Sequence, residues 1–290
     1  MLNPNTKSTQ PLLLSVLLAI ATLCSLSAHP RDYIIYKYND FGLFAVFNNV
    51  LGMLDEFDQG KCAGVKVDLV NGLYSEPKMG PNWWNYYFQS VQVGHNGGYV
   101  NSSPDTGFYG PHTLCKMDRQ RGNYLINKYI KVKPYISHLV NRFYNQNLTN
   151  AFLIGIHYRG TDKSSEAARV DYEKVVKTLQ YKINQINGKT YKIFVASDEQ
   201  KFVDHIKNKF SNVYYTNSIR STNGAPVHYN NNAHFQHGLE CVIDVLLLAR
   251  CNTIIRTASN VSSAVSMLNP NVEFITLNEH IWANCHGRSY

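Results

Sequence analysis

Ile154-Gly155-Ile156-His157-Tyr158-Arg159-Gly160-Thr161-Asp162-Lys163-Ser164-Ser165-Glu166 decides how the 290-residue chain is read. The apolar run from Phe152 to Ile156 has the look of a buried strand. It breaks into a glycine-containing polar loop that carries both charge signs. In an α/β protein the carboxyl end of such a strand faces the crevice where ligands sit. Side chains alternate along a strand, so His157 and Arg159 share a face, and Lys163 and Glu166 follow in the loop. One short segment therefore brings an imidazole, a guanidinium, an ammonium and a carboxylate to a single cleft.

Outward from this stretch, β and α patterns alternate. Strands are expected at 151–156, 191–196, 213–216, 253–256 and 272–277. Helices are expected at 172–186, 200–210, 239–249 and 261–267, with a C-terminal helix from about Asn278. Such alternation implies a parallel sheet covered by helices on both faces. The first half opens with a strand at 33–38. Leu43, Val46, Phe47, Val50, Leu51 and Leu54 then recur at helical spacing, and a second strand is expected at 65–70. Residues 71–123 are rich in Gly, Pro, Asn and aromatics. Residues 124–144 turn helical again, with a break or kink at Pro134. The boundary between two α/β units falls near 145–150.

Composition narrows the partners. Hydrophobic residues make up 44% of the chain and charged residues 17%, which suits a folded protein. The formal net charge of +8 admits nucleic acid, an anionic membrane or a phosphorylated ligand. The charges are scattered with no run of five or six Lys/Arg, so a nucleotide accounts for the balance as well as a polymer does. No nucleic-acid partner is expected. The aromatic stretch Trp83-Trp84-Asn85-Tyr86-Tyr87-Phe88 suits either core packing or a sugar-binding platform.

Leu12 to Ala28 is nearly all apolar, preceded by Lys7 and followed by His29-Pro30-Arg31. Two readings stand. One is a secretory signal with small residues near Ser25-Leu26-Ser27 for cleavage. The other is an uncleaved signal-anchor, although the run is slightly shorter than the roughly 20 residues of a spanning helix. Either places the remainder across, or attached to, a membrane. Beyond this segment five cysteines at wide spacing make no disulfide framework. Sequons occur at Asn101, Asn147 and Asn260.

Several motifs fail. No Gly-x-Gly-x-x-Gly occurs. Gly188-Lys189-Thr190 looks like the end of a phosphate loop, but Ile183 stands where a glycine is required. No Gly-x-Ser-x-Gly elbow appears. No Asp-x-Asp occurs, the pair that would let a glycosyltransferase hold its diphosphate through a metal. His228, His234 and His237 with Cys241 match no standard zinc spacing, and no Cys-x-x-Cys is present.

Three loops, each after a strand, do form a pattern. The first is His157-Tyr158-Arg159-Gly160-Thr161-Asp162-Lys163 with Ser165-Glu166-Ala167-Ala168. The second is Val195-Ala196-Ser197-Asp198-Glu199. The third is Ile255-Arg256-Thr257-Ala258-Ser259-Asn260-Val261-Ser262-Ser263, preceded by Asp244 in an apolar helix. In this order they resemble the three signature motifs of the α1,6-fucosyltransferase/protein O-fucosyltransferase superfamily. The likeness is greatest to the α1,6 branch and covers about residues 150–278.

The resemblance implies a GT-B-like fold, two Rossmann-like domains whose parallel sheets face a central cleft. Residues 1–30 would be the signal peptide or signal-anchor, 31–148 the acceptor-side α/β domain, and 149–290 the GDP-sugar-binding domain. It further implies an inverting transferase that moves fucose from GDP-fucose to a hydroxyl of a glycan or glycoprotein, with no metal and no other cofactor. Arg159 would hold the departing diphosphate, since a guanidinium fork suits phosphate. Ser259, Asn260 and Ser262, at a helix start, would also hold phosphate. Asp198 and Asp244 would accept hydrogen bonds from guanine or ribose, and His157 would contact the nucleotide. Glu166 matches the position that takes the acceptor proton, and Lys163 the one that orients it. A single-pass anchor in the secretory pathway, with a Golgi-lumenal catalytic domain in a eukaryotic host, fits this reading. So does secretion after cleavage.

One departure is Gly160, where many members carry a second arginine. It keeps open a different nucleotide-sugar donor on the same scaffold. The 83–88 aromatics keep open a non-catalytic glycan-binding protein. Structural readings compete residue by residue. Arg159 and Asp162 would make an ion pair, Asp198 would cap the helix at Gln200, and Ser259 and Asn260 would cap the helix after them. Glu166 would be a solvated loop charge. Asp244 has no such alternative, because a carboxylate inside an apolar helix needs a partner.

Overall fold

A computed structural model of the chain describes residues 33–37, 41–95, 100–101, 117–161, 167–225 and 234–279. The apolar segment 12–28, the loop residues 162–166 with Lys163 and Glu166, and nearly all of the expected C-terminal helix lie outside the described residues. Among the described residues no helix is long and apolar enough to cross a membrane.

The second half folds as its alternation implies. Strands β5 (Phe152–Tyr158), β6 (Tyr191–Ser197), β7 (Val213–Tyr214), β8 (Thr253–Arg256) and β9 (Glu273–Thr276) form one parallel sheet, in the order β7-β6-β5-β8-β9. Strand order therefore reverses at the β5–β8 pair, where His157 lies opposite Arg256 in register. In an open parallel sheet this is the switch point, where the crossover helices depart to opposite faces and leave a crevice at the carboxyl ends.

Both faces are covered. Ile154, Ile156 and Tyr158 point into a core with Val175, Leu179, Val195 and Phe202. Leu153 and Phe194 point the other way, into a core with Val245 and Leu248. Gly155 is on that second side, where an added Cβ would lie 3.0 Å from Cys251 Sγ.

The first half carries a four-stranded sheet in the order β3-β2-β1-β4, from β1 (Tyr33–Tyr36), β2 (Gly64–Val67), β3 (Gln92–Gly94) and β4 (Val100–Asn101). Strand β1 pairs in parallel with β2 and β4, whereas the edge strand β3 is antiparallel to β2. Helix α1 (Leu43–Asp58) follows β1. Its apolar residues at helical spacing are buried, as are Asn48 and Asn49.

The aromatic stretch forms a four-residue helix α2 (Trp84–Tyr87) and is core, not platform. Trp83, Trp84, Tyr86, Tyr87 and Phe88 are all at most 5% exposed. The sugar-platform expectation is thereby corrected. A run of rings that close-packs against Phe47 offers no face to a ligand.

The helix expected at 124–144 is two helices, α3 (Arg119–Tyr129) and α4 (Pro134–Asn147). The proline does not kink a helix but starts one, where its missing N–H costs nothing. Asp118 caps α3 by accepting from Arg121 N at 2.9 Å.

The helices of the second half are α5 (Tyr172–Gln185), α6 (Gln200–Lys209), α7 (His234–Leu248) and α8 (Asn260–Leu268). Helix α7 begins five residues before the expected start, so His234 and His237 are helical. His234 Nδ1 bonds the Leu73 carbonyl at 2.7 Å.

The two halves share one continuous core. Gly122 of α3 lies against Met267 of α8, and an added Cβ would overlap that side chain. Asn123 reinforces the crossing by donating to the Met267 carbonyl at 2.8 Å. Asn48 of α1 donates to the Asn260 carbonyl and side-chain oxygen at 3.2 and 3.1 Å. Tyr87 stacks on Phe235 of α7 and donates to its carbonyl at 3.0 Å. Gly238 makes room for that phenol ring.

Candidate functional site

A cavity opens at the carboxyl ends of β5 and β6, between the two halves. Its walls include His157, Arg159, Asp198, His237, Glu240, Cys241, Asp244 and Val261 from the second half and Tyr74 from the first. Strand alternation sets the first two, because His157 and Arg159 leave β5 on the side away from Tyr158.

The loop after β5 is tied down from three directions. Arg159 N donates to Thr257 Oγ1 at 2.9 Å, which joins the first and third motifs across the switch point. Asp198, at the end of β6, accepts from Gly160 N at 3.0 Å and from Thr161 Oγ1 at 2.6 Å. Its Oδ2 also lies 3.2 Å from Arg159 Nε. Asp198 thus fixes the guanidinium and the turn that carries it. It does not cap α6: Glu199 holds that position and makes no side-chain cap bond. Arg159 makes an ion pair with Asp198; the expected pair with Asp162 lies outside the described residues.

Gly160 has a local cause. A Cβ at this position would overlap the Glu199 carboxylate. Glu199 is buried and bound by Arg169 at 2.9 and 3.0 Å and by the Tyr172 hydroxyl at 2.6 Å. Arg169 also donates to the Gly160 carbonyl. A side chain at 160 would have to displace this buried, hydrogen-bonded carboxylate, so a second arginine has no room here.

The third motif builds the start of α8. Ser259 accepts from Ser262 N at 3.2 Å and so caps the helix. Ser262 is 1% exposed. Its hydroxyl bonds the Ser259 carbonyl at 3.0 Å and accepts from Arg256 Nη1 at 3.2 Å. Asn260 is engaged with Asn48. Of these residues the cavity takes only the neighbouring Val261 as lining. The structure therefore gathers His157, Arg159, Asp198 and Asp244 round one cavity and sets Ser259, Asn260 and Ser262 just behind it.

Three of the lining groups have strongly shifted acidities. Burial lowers His157 to about 4, the nearby Arg159 and Arg256 charges act in the same direction, and Asp198 opposes them. The imidazole is therefore neutral at pH 7. Burial raises Asp244 to about 7, against a hydrogen bond from Thr216 at 2.6 Å and the charge of Arg220. Burial and the neighbouring Asp244 raise the Cys241 thiol to about 12, which keeps it uncharged. The cavity thus combines a fixed guanidinium, from Arg159, with carboxyls from Asp198, Glu240 and Asp244.

Tyr74 and Glu240 were not singled out by sequence, and His237 and Cys241 only as part of a zinc-like set whose spacing fails. Glu240 carries a legible signal, since it is a carboxylate on an apolar helix four residues before Asp244, and the argument applied to Asp244 applies to it unchanged. Tyr74 sits in a loop-rich stretch without motif. Its hydroxyl accepts from Leu43 N at 3.0 Å, and it reaches the cavity only through tertiary packing.

Comparisons place this arrangement. The family model described as Nodulation protein Z (NodZ) matches residues 113–281, more than half the chain and all three motifs. A comparison with curated proteins gives no match. Among solved structures, NodZ α1,6-fucosyltransferase soaked with GDP-fucose aligns with a TM-score of 0.59 at 16% identity, covering 83% of this chain and 94% of that one. A NodZ structure from Bradyrhizobium aligns at 0.57 and 17%, covering 84% and 94%. Arabidopsis thaliana FUT1 in complex with GDP aligns at 0.53 and 12%, covering 92% and 75%. POFUT1 in complex with GDP-fucose aligns at 0.51 and 12%, covering 87% and 99%. These likenesses share the GT-B fold. The chain belongs to the NodZ family, within the α1,6-fucosyltransferase/protein O-fucosyltransferase superfamily.

Proposed function

We propose that the protein is a GDP-fucose-dependent fucosyltransferase that moves fucose, with inversion, to a hydroxyl of a glycan or glycoprotein. The observation that carries this reading is the cavity at the β5–β8 switch point between the two halves, lined both by Arg159, held by Asp198 and Thr257, and by Asp244. The family assignment and the fold shared with structures solved with GDP and GDP-fucose support it.

In this reading the acceptor oxygen attacks the anomeric carbon as the bond to the β-phosphate oxygen breaks. Glu166 takes the acceptor proton and Lys163 orients it. Charge grows on the departing GDP, and a prepositioned Arg159 stabilises it more in the transition state than in the ground state. A fixed cation in that place offsets part of the diphosphate's charge, and the reading calls for no metal. Asp244 and neutral His157 contact the nucleoside. Residues 12–28 serve as a secretory signal or anchor that sets the catalytic domain in the lumen where the donor is found.

The test is GDP release from GDP-fucose by the full chain with a panel of glycan acceptors. Acceptor-dependent GDP release that Glu166→Gln slows far more than it weakens GDP binding supports the reading. No release with any acceptor, together with no GDP binding, overturns it.

A further inference from the structure

The wall of the cavity formed by α7 holds two carboxyls, Glu240 and Asp244, spaced four residues apart on the same helix face. Glu240 is 9% exposed. Neutral donors reach it: Ile219 N donates to Oε2 at 2.8 Å, and Gln236 Nε2 donates to Oε1 at 2.8 Å. Asp244 Oδ1 accepts from the Thr216 hydroxyl at 2.6 Å. Among the described residues neither carboxyl is in an ion pair. Arg220, whose charge acts on Asp244, directs its two terminal nitrogens to the Thr216 and Ser218 carbonyls at 2.8 and 3.1 Å.

Two like-charged groups side by side in a buried wall raise each other's cost of ionisation. A helix that only needed to pack would carry apolar residues at both places, and α7 does so at Val242, Val245, Leu247 and Leu248. Each oxygen of Glu240 accepts one bond and keeps a second lone pair. This wall therefore presents two adjacent carboxyls with acceptor positions to spare, complementary to a ligand edge that carries several adjacent N–H groups.

We propose that Glu240 is a specificity-determining residue for the donor's base, accepting a hydrogen bond from the exocyclic amine of guanine while Asp244 takes the adjacent ring N–H. This rests on the GDP-sugar reading and sharpens it. The exocyclic amine has two hydrogens. One carboxyl aligned with the ring N–H reaches only the nearer of them, and the second hydrogen needs another acceptor beside the first. A helix turn separates Asp244 from Glu240, which supplies that acceptor. A base without the amine leaves the remaining acceptor position of Glu240 unfilled in a buried wall, and sites built to bond a ligand N–H discriminate against analogues that lack it.

The experiment is calorimetric titration of the full chain with GDP, with IDP (the same nucleotide lacking the exocyclic amine) and with 2′-deoxy-GDP. The wild type should bind GDP at least about tenfold more tightly than IDP. Glu240→Gln should weaken GDP toward the IDP value while leaving IDP within about twofold. Binding of 2′-deoxy-GDP should follow GDP in both proteins. A wild-type GDP-to-IDP ratio near one overturns the proposal without any variant. So does a variant that keeps the full ratio, or one that loses only its discrimination against 2′-deoxy-GDP. Absence of GDP binding by the wild type is a different outcome, and it overturns the underlying donor reading.

Discussion

Asp198 Oδ2 stands 3.2 Å from Arg159 Nε, and the same carboxylate receives Gly160 N at 3.0 Å and Thr161 Oγ1 at 2.6 Å. The second motif thus sets both the direction and the charge environment of the first. Arg159→Ala is expected to lower GDP-fucose turnover by a hundredfold or more, about the loss seen when one preorganised transition-state donor is removed. Asp198→Asn keeps an acceptor for the loop but removes the counter-charge, so it should lower turnover less. Steady-state rates for both variants, beside their melting temperatures, check this ordering.

The pH dependence of nucleotide binding follows from Asp244. Its carboxyl is raised to about 7 by burial, with Glu240 adding to the rise and Thr216, Ser218 and Arg220 opposing it. Cys241, which also faces it, stays a neutral thiol. The folded chain binds this proton more tightly than the unfolded chain does. The group's contribution to stability is therefore present at acid pH and is lost as pH rises from about 4 to about 7. Binding runs in the opposite direction, because the ionised form accepts from base N–H donors. GDP affinity should rise between pH 6 and pH 8, and Asp244→Asn should flatten that rise. Calorimetry at several pH values measures it.

Gly160→Ala should destabilise the protein by about 1–3 kcal/mol, the usual range for overpacking, because its Cβ would overlap the buried Glu199 carboxylate. Turnover should fall with it, since the displaced loop carries Arg159. Chemical denaturation and initial rates of this variant measure both effects. A fully stable and fully active Gly160→Ala would mean that Glu199 does not occupy that space in solution.

Trp84→Ala should cost about 3–5 kcal/mol of stability, as large-to-small changes in cores do, since Trp84 is 1% exposed and packs on Phe47 and Phe88. At temperatures where the variant stays folded, its affinity for acceptor glycan should match that of the wild type. A stable variant with lost glycan binding would restore the platform reading of residues 83–88.

The second half was legible because parallel strands buried on both faces are continuous apolar runs, and Phe152–Ile156 is one of them. Its loops were legible because each follows such a run. The first half was less so. Strand β3 (Gln92–Gly94) has no alternation of its own and is strand only through pairing with β2. The aromatic stretch has the same composition whether it packs or presents a platform, and only burial separates the two. Pro134 is compatible with a kink and with a helix start. The bond from Lys133 N to the Tyr87 carbonyl at 2.9 Å, a tertiary contact, holds the chain extended just before it.

In the candidate site, residue types at strand ends identified His157, Arg159 and Asp198. Sequence did not reveal that Asp198 would be the partner of Arg159, nor that Glu199 and Arg169 would account for Gly160. Both are contacts between segments distant along the chain. Glu240 was passed over although its place on an apolar helix is the same signal that marked Asp244.

The central claim is that this cavity binds a guanine nucleotide through Arg159 and the α7 carboxyls. Titration of the full chain with GDP and with UDP tests it most directly, wild type beside Arg159→Ala. The account predicts that GDP binds well and UDP at least about a hundredfold more weakly, and that Arg159→Ala weakens GDP but leaves guanosine binding unchanged. Equal binding of UDP and GDP, or GDP binding indifferent to Arg159, would contradict it.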